Sequence, residues 1–84
     1  MIMDRDARLI ARLSLLPERV ILDRSVRGRQ RLITSLERIC RKERERGLAG
    51  DWKYDLARHR GLCKALEREQ AELTAMLGSH VKAA

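Results

Sequence analysis

A stripe of basic side chains is the most distinctive chemical feature of this 84-residue sequence. Between residues 24 and 42 the cations recur at spacings that place them on one face of a helix. Arginine predominates, and its guanidinium fork suits phosphate oxygens. The members of the stripe are Arg24, Arg27, Arg31, Arg38, Arg41 and Lys42. We therefore predict a surface that could follow a DNA or RNA backbone over roughly 27 Å.

Two other interpretations of this stripe stay open. An acidic protein partner would match the same charges, and a long solvated helix carries such charges without any partner. The first 50 residues hold thirteen Lys/Arg and seven Asp/Glu, which is +6 of the formal net charge of +7, so the basic half contains the stripe. No aromatic residue interleaves with the cations to stack bases, and the pattern shows no helix-turn-helix partner for them.

Cys40, His59 and Cys63 are the other residues whose types could bind a ligand. They supply three metal-ligating groups but lack a fourth, so we predict neither a metal site nor a cofactor. The expected helix register offsets the two cysteines by about six residues, near 9 Å along the axis, which argues against a disulfide. We expect reduced thiols in a cytoplasmic protein.

Catalytic and membrane functions find little support in the sequence. It contains no Gly-rich phosphate loop, nucleophile elbow or zinc-protease motif, so we expect that the protein is not an enzyme. Its first residues carry acids where a signal peptide needs bases, and no stretch approaches the roughly 20 apolar residues of a membrane span. We expect no membrane partner.

Three helices are expected to position these residues within one all-α domain, 1–84. Apolar periodicity predicts helices over about 4–16, 18–46 and 51–77, followed by a frayed tail, 79–84. In the second and third helices, residues at alternating steps of four and three form heptads. These residues are Leu22, Val26, Arg29, Ile33, Leu36, Cys40 and Glu43 in the second helix, and Trp52, Leu56, His59, Cys63, Leu66, Gln70, Leu73 and Leu77 in the third. Two heptad helices joined by a short loop predict an antiparallel coiled-coil hairpin preceded by a short helix.

Particular residues should begin and end these helices. Asp4 and Asp51 are expected N-caps of the first and third helices. Gly47 is the expected left-handed residue after the second helix, and Gly78 should stop the third.

The hairpin should place particular residues opposite one another. Folding about residues 48–49 sets Arg29 opposite Gln70 as a polar layer, which would fix the register. We expect Trp52 to fill the turn end of the hairpin and Tyr54 to point outward, toward a partner.

Apolar residues beside the heptads predict self-association. Two helices alone cannot cover them, and burying each is worth about 1.5–3 kcal/mol. The predicted oligomer or partner interface comprises Leu9, Leu13, Leu32, Ile39, Leu62, Met76 and Tyr54. A second protomer would complete a bundle, since so small a domain is marginal alone. Alternatively, the first helix folds back over this surface.

At the level of shape, a short leading helix followed by such a hairpin resembles the oligomerisation segment of phage small terminase subunits. That resemblance implies an assembly protein in which the basic stripe contacts DNA, because residues 1–17 are too short for a separate DNA-binding domain. The shape is also similar to the hairpin chaperones of type III secretion, which implies an adaptor whose apolar strip is covered by a partner helix. We predict a non-enzymatic, self-associating protein that presents its basic face to nucleic acid, with the adaptor as the alternative.

Overall fold

The structure is a computed structural model that describes residues 3–83, with side chains for residues 3–78. All regular secondary structure in this part of the chain is helical, which confirms the predicted all-α class. The helices are α1 (Arg5–Ser14), α2 (Glu18–Leu22), α3 (Val26–Leu48) and α4 (Leu56–Ala83). None of them, over the described residues, is both long enough and apolar enough to cross a bilayer.

The two longest helices, α3 and α4, pack against each other in opposite directions. Arg29 near the start of α3 forms an ion pair with Glu69 in the middle of α4. Glu43 near the end of α3 forms an ion pair with Arg58 near the start of α4. Between these polar contacts the interface is apolar, and Leu36 is fully buried there.

The predicted second helix, 18–46, is in fact two helices separated by residues 23–25, so the prediction of one continuous helix is wrong. The Asp23 carboxylate accepts hydrogen bonds from the Ser25 hydroxyl (2.7 Å) and backbone N–H (3.1 Å). The Ser25 hydroxyl oxygen accepts the Gly28 N–H at 3.0 Å as the N-cap of α3. These local hydrogen bonds satisfy backbone groups that a continuous helix would have paired internally.

The short helices α1 and α2 cover the apolar surface for which the sequence predicts a second protomer. Ala7 and Ile10 of α1 and Ile21 of α2 are almost completely buried. They form one core with Leu32 and Leu62, which are 1% and 0% exposed. The assignment of these two leucines to an oligomer interface is therefore wrong, because their side chains lie inside a single chain.

The remaining apolar residues of the predicted interface are half-buried. Leu13 and Ile39 pack against the core, and Leu9 and Met76 are half-buried. A Cβ built on Gly61 of α4 would lie 2.7 Å from Leu13 Cδ1. This close approach shows that α1 folds back onto α4, the alternative left open above.

The buried face of α4 is rotated from the predicted heptad. Gln70, predicted to face Arg29, is exposed, and the neighbouring Glu69 takes its place with Leu62 and Ala65 on the buried face. The predicted Arg29–Gln70 layer is therefore wrong by one residue. The reason is that α4 packs against α1 as well as α3, so its most buried side chains lie between the two neighbours.

The connection between α3 and α4 is longer than predicted. Helix α3 continues through Gly47, and Gly50, with φ of 70°, takes the left-handed conformation that was predicted for Gly47. Residues 49–55 then form turns in which the Asp51 carboxylate accepts the Lys53 N–H at 2.9 Å.

The start of α4 is set by Asp55 and not by Asp51. The Asp55 carboxylate accepts the Arg58 N–H at 3.1 Å, which satisfies one of the free donors of the first turn. The predicted plug, Trp52, lies in the turns before this cap and is 87% exposed. The prediction that its indole fills the hairpin end is wrong, because the helix begins after it.

The start of the first helix agrees with the prediction, but the end of the last helix does not. Asp4 is the N-cap of α1 as predicted, since its carboxylate accepts the Ala7 N–H at 2.7 Å. At the other side, α4 passes through Gly78 and continues to Ala83, so the predicted end is wrong. The predicted frayed tail, 79–84, is thus helical to Ala83, and its last residue lies outside the described residues.

Candidate nucleic-acid interface

The outward surface of α3 carries five of the six predicted basic residues. Helix α3 turns Arg29, Leu32 and Leu36 toward the rest of the fold. The exposed cations on its opposite side are Arg27, Arg31, Arg38, Arg41 and Lys42, and we refer to this set as the α3 basic face. It extends roughly 22 Å along the helix axis at 1.5 Å per residue.

Uncharged polar side chains lie among the arginines in the N-terminal half of this face. A shallow groove of about 370 Å³ is bordered on one side by Val20 of α2. The rest of its lining is Arg27, Gln30, Arg31, Thr34, Ser35 and Arg38. The groove therefore combines guanidinium groups with an amide and two hydroxyls, which suits an anionic partner that also carries hydrogen-bonding groups.

Several arginines elsewhere in the fold are held by carboxylates. The buried Arg29 contacts Glu69 and, at 2.7 Å, Glu72. Other such pairs are Arg58–Glu43, Arg46–Glu43 and Arg68–Asp6. Within the described part of the chain, no member of the α3 basic face takes part in an ion pair. The charge of this face is thus left available to a partner.

Arg24 does not belong to the face, contrary to the prediction. It lies in the segment 23–25 between two helices, where its Nη2 is 3.4 Å from the Asp4 carboxylate. The prediction fails because it assumed a continuous helix. Asp23 is an acid beside the face: hydrogen bonds from Ser25 and, to a lesser degree, the charge of Arg31 lower its pKa. Asp23 therefore stays ionised and partly offsets one arginine.

The thiols of Cys40 of α3 and Cys63 of α4 lie close enough together that Cys63 affects the pKa of Cys40, so the predicted six-residue offset between them is wrong. Both are free thiols. Burial, followed by the neighbouring Cys63, raises the pKa of Cys40 to about 11. The Cys40 thiol is consequently protonated at neutral pH and is a poor nucleophile.

Tyr54 contacts the fold instead of pointing outward, so its predicted role as an exposed contact is wrong. Its hydroxyl lies 2.7 Å from His59 Nδ1, and the two rings meet edge to face at 5.6 Å. Its ring also lies so close to Gly47 that a Cβ there would be 3.0 Å away. No three His, Cys, Asp or Glu side chains in the region with described side chains are grouped to hold a metal ion.

A second row of cations was missed in the sequence. Arg5, Arg8 and Arg12 of α1 are exposed and follow a helical spacing of three and four residues. The same periodicity rule that identified the stripe would have found them. Asp6, which pairs with Arg68, lies beside this row.

Exposed apolar side chains gather at the end of the molecule where α3 and α4 are joined. Leu48 and Trp52 of that connection are 82% and 87% exposed. Leu15, at the end of α1, is 83% exposed, and the Leu13 carbonyl beside it accepts the Arg58 Nε–H at 3.0 Å. That hydrogen bond places the end of α1 at the start of α4. We refer to Leu15, Leu48 and Trp52 as the turn-end residues.

Comparison of the chain with protein-family models, with curated proteins and with solved structures finds no match.

Proposed function

We propose that this protein is a non-enzymatic nucleic-acid-binding protein that uses the α3 basic face to bind the phosphate backbone. The observation that carries the proposal is the contrast between two classes of arginine. Arg29 and Arg58 are occupied by carboxylates inside the fold, whereas the α3 basic face is exposed and unpaired within the described residues. Concentrated charge of this kind, which Asp23 offsets only at Arg31, supports binding through counterion release.

The residue types of the face support phosphate as its target. Four of its five cations are arginines, whose planar donors match phosphate oxygens in pairs. The face lies on one helix, so its cations keep a fixed spacing relative to one another. An acidic protein partner would have to supply carboxylates at that same spacing, whereas a nucleic-acid backbone supplies regularly repeated anions.

We also propose that the protein self-associates and that α3 and α4 pack as a coiled coil. The interface for self-association differs from the one that the sequence predicts. Since Leu32 and Leu62 are used within one chain, a second copy would pack on the turn-end residues. Sedimentation analysis of Trp52→Ser and the parent chain tests this step. A parent mass that is a multiple of 9.7 kDa and a smaller variant mass are expected; a parent at the monomer mass would remove self-association from the proposal.

The adaptor alternative rests on the same turn-end residues. A partner helix could cover Leu48 and Trp52 in place of a second copy. Under that alternative, the charges of the α3 basic face would serve solubility alone.

A charge-reversal experiment with a matched control tests nucleic-acid binding. The test variant changes Arg27, Arg31 and Arg38 to Glu, and the control makes the same change at Arg5, Arg8 and Arg12. Both variants alter the net charge by the same amount, so a general effect of net charge on DNA affinity is the same in both. A difference in affinity between them therefore reports on the position of the charges.

Fluorescence anisotropy with a short duplex DNA in low salt measures the affinity of each variant. We expect the α3 variant to bind at least about 100-fold more weakly than the parent and the α1 variant to lose about tenfold or less. Circular dichroism should show equal helicity in all three proteins. Equal losses in the two variants, or no binding by the parent, would overturn the proposal.

A further inference from the structure

The N-terminal half of α3 and the preceding helix form a compact two-helix unit. Only residues 23–25 separate α2 from α3, and α2 packs on α3. Arg19, Val20 and Asp23 line one depression together with Gly28 and Arg31 of α3. Helix α2 therefore lies along one flank of α3.

The connection between these helices is tightly built. A Cβ built on Gly28 would lie 2.6 Å from Asp23 Cβ, so only glycine lets the two segments approach this closely. In a helix-turn-helix, two helices are joined by a short turn. The second of them, the recognition helix, lies in the major groove of DNA. The continuous helix predicted from sequence would have excluded this arrangement.

The exposed surface of this half of α3 carries side chains that can distinguish bases. Gln30 and Thr34 are exposed and separate Arg27 from Arg38 along the groove. Glutamine can form two hydrogen bonds with adenine, and arginine can do so with guanine. The Thr34 hydroxyl donates to the Gln30 carbonyl oxygen at 2.9 Å, so its methyl group is available for an apolar contact with thymine.

We infer that this part of the α3 basic face enters the major groove of duplex DNA and reads base edges through Arg27, Gln30, Thr34 and Arg38. The inference rests on the proposed function and deepens it, from general phosphate binding to sequence-dependent recognition of B-form DNA. Arg19 of α2, which lines the depression next to Arg31, takes a phosphate contact that positions the helix.

Duplex DNA fits this surface better than RNA or a single strand does. A helix fits the major groove of B-DNA, which is about 12 Å wide, but cannot enter the deep and narrow major groove of A-form RNA. A single strand would need aromatic side chains for stacking, and the α3 basic face has none. Trp52, the exposed aromatic residue, lies beyond the C-terminal end of α3.

Helix α4 contains a matched control for the proposed base contacts. Gln70 and Thr74 have the same types and the same spacing as Gln30 and Thr34, and both are exposed. The Thr74 hydroxyl also donates to the Gln70 carbonyl oxygen at 2.9 Å. The double variants Gln30→Ala with Thr34→Ala and Gln70→Ala with Thr74→Ala therefore delete the same chemistry from two different surfaces.

The experiment first selects binders from a duplex library with about 20 random base pairs, two helical turns. Anisotropy then compares the selected duplex with a scrambled duplex and with double-stranded RNA of the selected sequence. We expect the parent and the α4 double variant to prefer the selected DNA over the scrambled DNA by at least about tenfold. The α3 double variant should lose this preference but keep salt-dependent binding to scrambled DNA. Methylation of guanine N7, which lies in the major groove, should block binding of the selected duplex.

Three results would overturn the inference: no sequence enriched, equal affinity for the RNA duplex, or a preference that survives in the α3 double variant. If salt-dependent binding persists alongside any of them, the proposed function stands and only base recognition fails. If the parent binds none of the three nucleic acids, the proposed function fails as well.

Discussion

Arg29 of α3 and Glu69 of α4 form an ion pair whose side chains are only 8% and 6% exposed. Glu72 contacts the same guanidinium at 2.7 Å from the solvent side. The pair lies at the end of the α3–α4 interface that is remote from the connecting turns, and Arg58–Glu43 occupies the other end. Polar contacts thus mark both ends of an otherwise apolar interface.

Removing one partner of the buried pair should be strongly destabilising. In Arg29→Met, the buried Glu69 carboxylate loses its ion pair, and we expect the free energy of unfolding to fall by about 3–5 kcal/mol. Replacing both residues with apolar ones, as in Arg29→Met with Glu69→Leu, should recover most of that loss. Urea unfolding followed by circular dichroism measures both values. A single variant as stable as the parent would show that the pair does not hold the helices together.

Two helical glycines should respond in opposite directions to alanine. Gly28→Ala should destabilise the protein, because the new Cβ would collide with Asp23. Gly78→Ala should stabilise it by about 0.5–1 kcal/mol, since nothing lies within 4 Å of a Cβ there and alanine is the better helix former. Thermal unfolding of the two variants tests the α2–α3 turn directly. Equal stabilisation of both would contradict the close contact at Gly28.

Stability should depend on pH through the Cys40 thiol. Its pKa is raised from 9.0 to about 11 by burial and by Cys63, so the folded state keeps a proton that the unfolded state releases. The stabilisation is complete below pH 9 and is lost as the pH rises from 9 through 11. Unfolding of Cys40→Ala should show a shallower decline over this range. Other groups titrate there too, so the difference between parent and variant is the relevant quantity, and parallel curves would contradict the prediction.

Trp52 should contribute little to the stability of a single chain. It is 87% exposed, so Trp52→Ala should change the free energy of unfolding by no more than about 0.5 kcal/mol, against 3–5 kcal/mol for a buried Trp. Urea unfolding at low protein concentration tests this, since dilution removes any effect of self-association. Strong protection of the parent indole from acrylamide quenching under the same conditions would contradict its exposure.

Periodicity was sufficient to predict the helical class and the buried face of α3. Ile33, Leu36, Cys40 and Glu43, which follow the predicted heptad, are all buried. The same rule failed on α4, whose most buried side chains lie between α1 and α3 instead of facing α3 alone. Glu69 is therefore buried where Gln70 was predicted.

The break in the predicted second helix could have been found from local chemistry. Asp23 and Ser25 are both strong capping and turn residues, and Gly28 follows at the position where its N–H meets the Ser25 hydroxyl. The apolar pattern runs across this segment without interruption and therefore predicts one continuous helix, in spite of these capping and turn residues. The folding back of α1, in contrast, depends on tertiary contacts such as Leu13 against Gly61, which no local pattern encodes.

The exposure of the basic residues of α3 was predicted correctly although other parts of the fold were not, and the reason is physical. Exposed residues need only lie opposite the buried side of their own helix, so Arg27, Arg31 and Arg38 depend on the periodicity of α3 alone. Arg24 was lost because it lies outside that helix. The predicted interface depended on the positions of all the helices, and two of its residues, Leu32 and Leu62, are buried within the chain instead.

The salt dependence of duplex DNA binding tests the central claim most directly. On a duplex that lacks the recognised sequence, Arg27 and Arg38 contact phosphates in place of base edges. If all five cations of the α3 basic face contact phosphates of such a duplex, a plot of log affinity against log salt concentration has a slope of about −4.5, from roughly −0.9 per contact. Changing Arg27, Arg31 and Arg38 to Gln should reduce the slope to about −1.8, and the same change at Arg5, Arg8 and Arg12 should leave it near the parent value. A parent slope near zero, or equal slopes for the two triple variants, would contradict the assignment of the α3 basic face to nucleic-acid binding.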